Sequence, residues 1–432
     1  MNFGMLSPQL SLSDPLTELE GSRDPLGLAN LATQLADRIL PGMTARMWRP
    51  RFLTAMSVAA VVTEKFRDRS AADGSTPAYL VFEWFALEAF ARADTQNNGN
   101  LKNIPGIEKT RTARNEGAFL SPTRYLKTPT VLGFHGVYKT LARDLEIVDD
   151  ELCLLPNGYR LVRAWERAEG MTGFADGQDG AGKSLREHLQ RIVREGLGAG
   201  HTIENRRWRF FLDSLRPDRP RKSERQLIWS FLTSGDSSRR QIFHILSKPV
   251  AMRRQQNLAE ADFLGWLESR VSEELRLHLK AIAAYERLSR TLHDAFDWIR
   301  YLSTKTRLRP ITSKDFSEKS ASLLRRVSAD INKASLALER INLDSDFSDL
   351  MTAFGTVSDA GAFFERLIRR HEYVQRNKPP GNKRPWFERA TNGVVVRDPY
   401  RLYEPPTGEM AYVHGYRIPN VANFIKDLQG GL

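Results

Sequence analysis

The sequence predicts a mainly α-helical fold: an N-terminal helical region with a winged helix, a long helical hairpin or bundle, and a small α+β C-terminal subdomain. Three observations carry this. Apolar residues recur every three or four positions through most of the chain. Residues 128–167 read as helix, short strand pair, helix, the order of a winged helix. The last 55 residues or so turn Pro/Gly-rich and hold the β-branched run Val394-Val395-Val396. The boundaries expected are an arm over 1–23, a helical domain with the winged helix over 24–169, a linker over 170–184, a bundle over 185–377 and a basic, aromatic subdomain over 378–432.

Residues 1–23 carry Pro, Ser and Leu without a sustained period. Asp24-Pro25-Leu26-Gly27 then opens a helix with Leu28, Leu31, Leu35 and Ile39 on one face, stopped by Pro41-Gly42. A second helix places Phe52, Met56, Ala59 and Val62 together. A third does the same with Tyr79, Phe82, Phe85 and Phe90.

Asp24-Pro25-Leu26-Gly27, Pro41-Gly42-Met43-Thr44-Ala45-Arg46 and Arg49-Pro50-Arg51-Phe52 together resemble the N-terminal region of poorly characterised proteins of bacterial anti-phage defence and restriction loci. The matching residues cover about 30 positions. The resemblance implies a component of a multi-protein defence complex, with other protein subunits as partners, and brings no catalytic residue with it.

Lys and Arg number 64 against 52 Asp and Glu, a net charge of +12. Such an excess favours a polyanion or an acidic partner. Between Lys102 and Arg143 stand eight basic residues and two acidic ones. That stretch leads into the first helix of the winged-helix segment, where His135, Tyr138, Lys139 and Arg143 fall at helical spacing. With Arg124 and Lys127 they are the candidate contacts to double-stranded DNA, since Lys and Arg on phosphates supply most non-specific affinity. Asp149, Asp150 and Glu151 in the wing repel phosphates, so any contact falls on the helix. A winged helix also serves as a protein-docking module, and both readings stand.

Gly177, Gly182, Lys183 and Ser184 have the spacing of a P-loop, whose glycines let backbone N–H groups wrap phosphates. A P-loop follows a buried strand, and the preceding residues are polar and glycine-rich. A linker between helical parts accounts for the glycines as well.

From Phe263 to Ile299 apolar residues recur so regularly that one helix is expected from Ala259 to Lys305, very roughly 65 Å long. After Arg309-Pro310, Leu324, Val327, Ile331, Leu338 and Ile341 return along it as a hairpin. Beyond a helix over 360–375, Val394–Val396 reads as a strand with Glu409–Ile418 as its partner. Arg366 to Arg401 holds ten basic and three acidic residues, Lys383, Arg384, Arg397 and Arg401 among them, with Trp386, Tyr400, Tyr403, Tyr412 and Tyr416 interleaved or close by. That mixture suits stacking on bases with contact to phosphates, and equally a subdomain packing its rings inward.

Chemistry-bearing motifs are sparse. His371-Glu372-Tyr373-Val374-Gln375 begins like a zinc-binding helix but has Gln375 where the second histidine belongs. Cys153 is the one cysteine, which excludes an intramolecular disulfide and cysteine-based zinc sites. Neither a cofactor nor a metal is expected, no span suits a bilayer, and the N-terminus lacks the features of a signal peptide, which points to the cytoplasm. The sequence names no reaction.

Overall fold

A computed structural model describes residues 24–96, 101–235, 237–306, 309–378, 381–408 and 411–430; the expected arm over 1–23 lies outside them. The described chain is mainly helical. Its helices are α1 (Ala29–Ile39), α2 (Phe52–Thr63), α3 (Ala78–Gln96), α4 (Ile107–Asn115), α5 (Pro129–Leu132) and α6 (Phe134–Asp144). Next come α7 (Pro156–Ala168), α8 (Gly180–Ala199), α9 (Arg209–Leu215), α10 (Lys222–Leu232), α11 (Ser238–Leu246) and α12 (Pro249–Asn257). The remainder are α13 (Glu260–Glu268), α14 (Glu273–Lys305), α15 (Ser313–Glu339), α16 (Asp344–Phe354), α17 (Ala360–Asn377) and α18 (Ile418–Gln429), with a two-stranded sheet of β1 (Phe387–Ala390) and β2 (Gly393–Val396). No described helix is long and apolar enough to cross a membrane.

The chain forms two compact units, and both are discontinuous in sequence. One comprises residues 36–263 and 415–432, the other residues 24–35 and 264–414. The N-terminal segment therefore groups with the hairpin rather than with the helices that follow it.

In the unit of residues 36–263 and 415–432, α2 is the central element. Every residue from Phe52 to Val62 is buried, as expected of a helix that is apolar all round. It packs against α3, α6, α7 and α8, while α18 closes on α10, α11 and α12. A fully buried guanidinium stands at its start. Arg51 donates to both carboxylate oxygens of Glu224 (3.1 and 2.9 Å), to Glu169 Oε1 (2.9 Å), and to the carbonyls of Arg216 (3.1 Å) and Ser214 (2.9 Å). Arg221 completes the network by a paired contact to Glu169 (2.7 and 2.9 Å). Asn420 on α18 donates to the carbonyls of Ala45 and Met47, and Arg49 pairs with Asp427. The Pro41–Phe52 segment is thus a packing hub.

The other unit is built on the hairpin of α14 and α15, with α17 against both. The single helix expected over 259–305 is broken. Ser272 caps a new start by accepting the Leu275 N–H (3.4 Å), leaving α14 with 33 residues, about 50 Å at the helical rise. A buried pair, Thr291 Oγ1 to Asp330 Oδ2 at 2.9 Å, joins the two helices. The strand expectation is half right. Val394–Val396 does form a strand, but its partner is Phe387–Ala390 and not the described residues 411–418, because the two-residue turn Thr391-Asn392 brings the adjacent segment alongside. Positions 409–410 of the expected partner lie outside the described residues. Gly393 allows a second approach: a Cβ there would stand 2.1 Å from the Ile311 carbonyl oxygen, which accepts the Val394 N–H (3.0 Å).

His371 is used up inside this unit. Its Nδ1 donates to the Pro25 carbonyl (2.8 Å) and its Nε2 accepts the Trp386 N–H (3.0 Å), so it is a neutral imidazole among Phe296, Trp386 and Phe387. Burial pulls its pKa down to about 4. The unfolded chain takes up this proton near pH 6.5, so the contribution to stability is whole above that pH. It is lost as pH falls from 6.5 toward about 4. An imidazole titration followed by NMR should give a midpoint near 4; a midpoint near 6.5 would contradict this placement.

Candidate nucleic-acid interface

The segment expected to be a winged helix forms α6, a turn and α7, all within the unit of residues 36–263 and 415–432. The expected strand pair is one bridge, Val148 to Leu154. The turn is too tight for more. Glu146 and Leu152 take left-handed φ angles of 53° and 63°, and the Asp149 carboxylate accepts the N–H groups of Glu151 (3.0 Å) and Cys153 (2.8 Å). Cys153 is half-buried here, and burial together with the neighbouring Asp149 raises its thiol pKa.

Helix α6 divides its candidate residues between two faces. His135 and Tyr138, expected on an exposed face, are buried. His135 donates from its backbone N (3.0 Å) and Nδ1 (2.8 Å) to Glu83 Oε2, while Tyr125 donates to Glu83 Oε1 (2.5 Å). Tyr138 accepts the N–H groups of Trp48 (3.0 Å) and Arg49 (2.8 Å), and its ring lies 5.2 Å from Phe52. Both fall on the apolar stripe with Phe134, Val137 and Leu141, so a period of 3.6 turns them inward.

The basic candidates point the other way. Lys139 is half-exposed, and Arg124, Lys127 and Arg143 are exposed. Lys102, Lys109 and Arg114 before them are exposed too. Arg124 pairs with Glu116 (2.7 Å) and Arg143 with Asp150 (3.1 Å), in each case with both partners in solvent. Pairs of that kind are worth about 0–1 kcal/mol and exchange readily for a phosphate. Residues 36–263 and 415–432 carry a net charge of +10 and residues 264–414 a net +5, with −3 on residues 1–35.

The glycine segment is an ordered loop continuous with α8, and not a linker. Phe174 is fully buried against Trp165 at 4.9 Å, Glu166 accepts the Ala175 N–H (3.1 Å), and Arg186 donates to the carbonyls of Gly173, Phe174 and Gly177. Gly182, Lys183 and Ser184 lie within α8, which begins at Gly180. A Cβ on Gly182 would stand 2.2 Å from the Met171 carbonyl oxygen and 2.4 Å from the Phe174 nitrogen. Close packing against the protein's own loop therefore accounts for Gly182, and Gly177 lies against Gly173 in the same way. Lys183 faces Glu187 at 3.7 Å. The described residues before Gly177 provide no strand of the kind a P-loop follows.

In the other unit the C-terminal basic residues are largely engaged. Arg384 pairs with Glu388 (3.1 Å) and Arg401 with Asp398, and Arg397 donates to the Pro385 carbonyl and lies over Tyr400. Lys383 is half-exposed. Trp386 is buried, stacked on Tyr400 at 4.8 Å with Arg300 over its ring. Trp386 packs inward under the half-exposed Tyr400, so base stacking on Trp386 is closed off, while Tyr403 is exposed.

No family model, curated protein or solved structure matches this chain.

Two features had no clear signal in the sequence. One is the buried Glu83–His135–Tyr125 cluster, whose members are far apart in the chain. The other is a groove between α8 and the segment before α9, where Arg206 and Arg207 sit in a stretch of mixed charge.

Proposed function

We propose that this chain is a non-catalytic, double-stranded-DNA-binding subunit of a bacterial anti-phage defence or restriction complex, with the α6–turn–α7 segment acting as a winged helix. The observation that carries the reading is the partition of residues 102–143: apolar, His and Tyr side chains turn inward while Lys102, Lys109, Arg114, Arg124, Lys127 and Arg143 remain exposed and Lys139 half-exposed. Phosphate contacts of this kind fix a protein on the duplex without reading its sequence. The acidic turn at Asp149, Asp150 and Glu151 keeps the contact on α6 and its approach. Membership of a defence complex, with other subunits as partners, rests on the resemblance of the Asp24–Phe52 region.

The test is binding of a duplex oligonucleotide by the full chain and by the variant Arg124→Glu/Lys127→Glu/Lys139→Glu/Arg143→Glu. All four positions are at least half-exposed, and an unchanged melting temperature of the variant verifies the fold. Affinity should fall by at least about 100-fold in low salt. Unchanged affinity would remove this surface, and no binding by either protein would leave the segment as a protein-docking module.

A further inference from the structure

The groove between α8 and residues 204–207 has a volume of about 660 Å³. Its walls carry His188 and Arg191 from α8, and Asn205, Arg206 and Arg207 from the segment leading into α9. His188 Nδ1 accepts from Arg191 Nη2 (3.2 Å), which leaves the proton on Nε2, donated to Asn205 Oδ1 (3.3 Å). The same Oδ1 accepts the Arg207 N–H (2.9 Å). Asn205 has therefore spent its acceptor, while its buried Nδ2 has none to donate to. Burial lowers the pKa of His188, and the nearby Arg207 and Arg191 lower it further.

The guanidinium groups of Arg206 and Arg207 are exposed, and among the described residues neither is paired with a carboxylate. Glu187 also lines the groove but lies against Lys183, and Arg191 pairs with Glu195 at 3.1 Å. Glu204 is the remaining carboxylate on the wall. The site thus gathers three guanidinium groups, two of them without a carboxylate partner among the described residues, around an open volume, with Asn205 buried in its wall. What it lacks is an anion with several acceptor oxygens in more than one plane. A carboxylate offers two oxygens in one plane; a phosphate offers three or more and takes paired contacts from arginine.

We infer that this groove binds a phosphate group, held by Arg191, Arg206 and Arg207. The site is separate from the α6 surface and does not require that surface to bind DNA. The phosphate comes either from a nucleic-acid backbone or from a small free phosphoanion. A few residues before Asn205, His201 stacks on the exposed Phe119 at 5.5 Å, and Phe119 lines a second groove of about 460 Å³ with Arg114. Aromatic rings together with phosphate contacts are how a single strand is tracked.

Calorimetric titration of the full chain with inorganic pyrophosphate, and separately with a single-stranded oligothymidylate, tests this at low ionic strength. Arg206→Ala/Arg207→Ala removes two exposed side chains, and an unchanged melting temperature verifies the fold. The expected result is at least about ten-fold weaker binding in the double variant. Loss of affinity for both probes, or for the oligonucleotide alone, identifies a strand backbone. Binding and loss confined to pyrophosphate identify a free phosphoanion. The inference is overturned if the native chain binds neither probe, or if the double variant binds as the native chain does. Because the α6 residues are untouched, duplex binding can fail while this result stands, and the reverse.

Discussion

Arg51→Met should destabilise the unit of residues 36–263 and 415–432 by about 3–5 kcal/mol, the usual result of removing one partner from a buried ion pair. Glu224 is fully buried and would be left with the Arg221 backbone N–H but without its cation. The carbonyls of Ser214 and Arg216 would also lose a donor. Methionine fills much of the same volume, so the effect isolates charge and hydrogen bonding from packing. Glu169 retains Arg221, which places most of the loss on Glu224. Adding Glu224→Leu should therefore restore much of the stability, since an apolar pair has no charge to solvate. Urea unfolding of the native chain and both variants measures this. A change under about 1 kcal/mol for the single variant, or no recovery in the double, would contradict the assignment of Arg51 as the centre of that core.

The second large effect is expected at Glu83. Its carboxylate is the acceptor for the Tyr125 hydroxyl, the His135 backbone N–H and His135 Nδ1, all buried. Glu83→Leu would strand three donors, at about 1–3 kcal/mol each. Glu83→Gln keeps an acceptor oxygen and should lose less. The same contacts pin the first turn of α6, so the leucine variant should also raise hydrogen exchange in residues 134–138. Unaltered melting and exchange in Glu83→Leu would show that the cluster does not hold α6 in place.

The helices were legible because their periodicity is strong and local. Leu28 to Ile39, Phe52 to Val62 and the α14–α15 hairpin all appear where the spacing of apolar residues puts them. What the spacing could not supply was the depth of each face. In α6 the polar residues His135 and Tyr138 share the stripe of Phe134 and Leu141, and they are buried because Glu83, Trp48 and Arg49, distant in sequence, meet their hydrogen-bonding atoms. The break before Ser272 was missed for a related reason: one serine cap outweighs an apolar series that runs on through it. The glycines at 177 and 182 match the letters of a phosphate loop, yet their need for glycine comes from contacts with Gly173, Met171 and Phe174. In the sequence Arg49 and Arg51 stand out only as letters of the Arg49-Pro50-Arg51-Phe52 motif; their partners, Asp427, Glu169 and Glu224, lie more than a hundred residues away and leave no local signal.

The most direct measurement for the central claim is the salt dependence of duplex DNA binding by the native chain. If Arg124, Lys127, Lys139 and Arg143 each neutralise one phosphate, log K should fall with log salt with a slope of about −3.6. The slope should move toward zero by about one for each of these residues removed. A slope near zero in the native chain, or the same slope after all four are removed, would contradict the proposed DNA-binding surface.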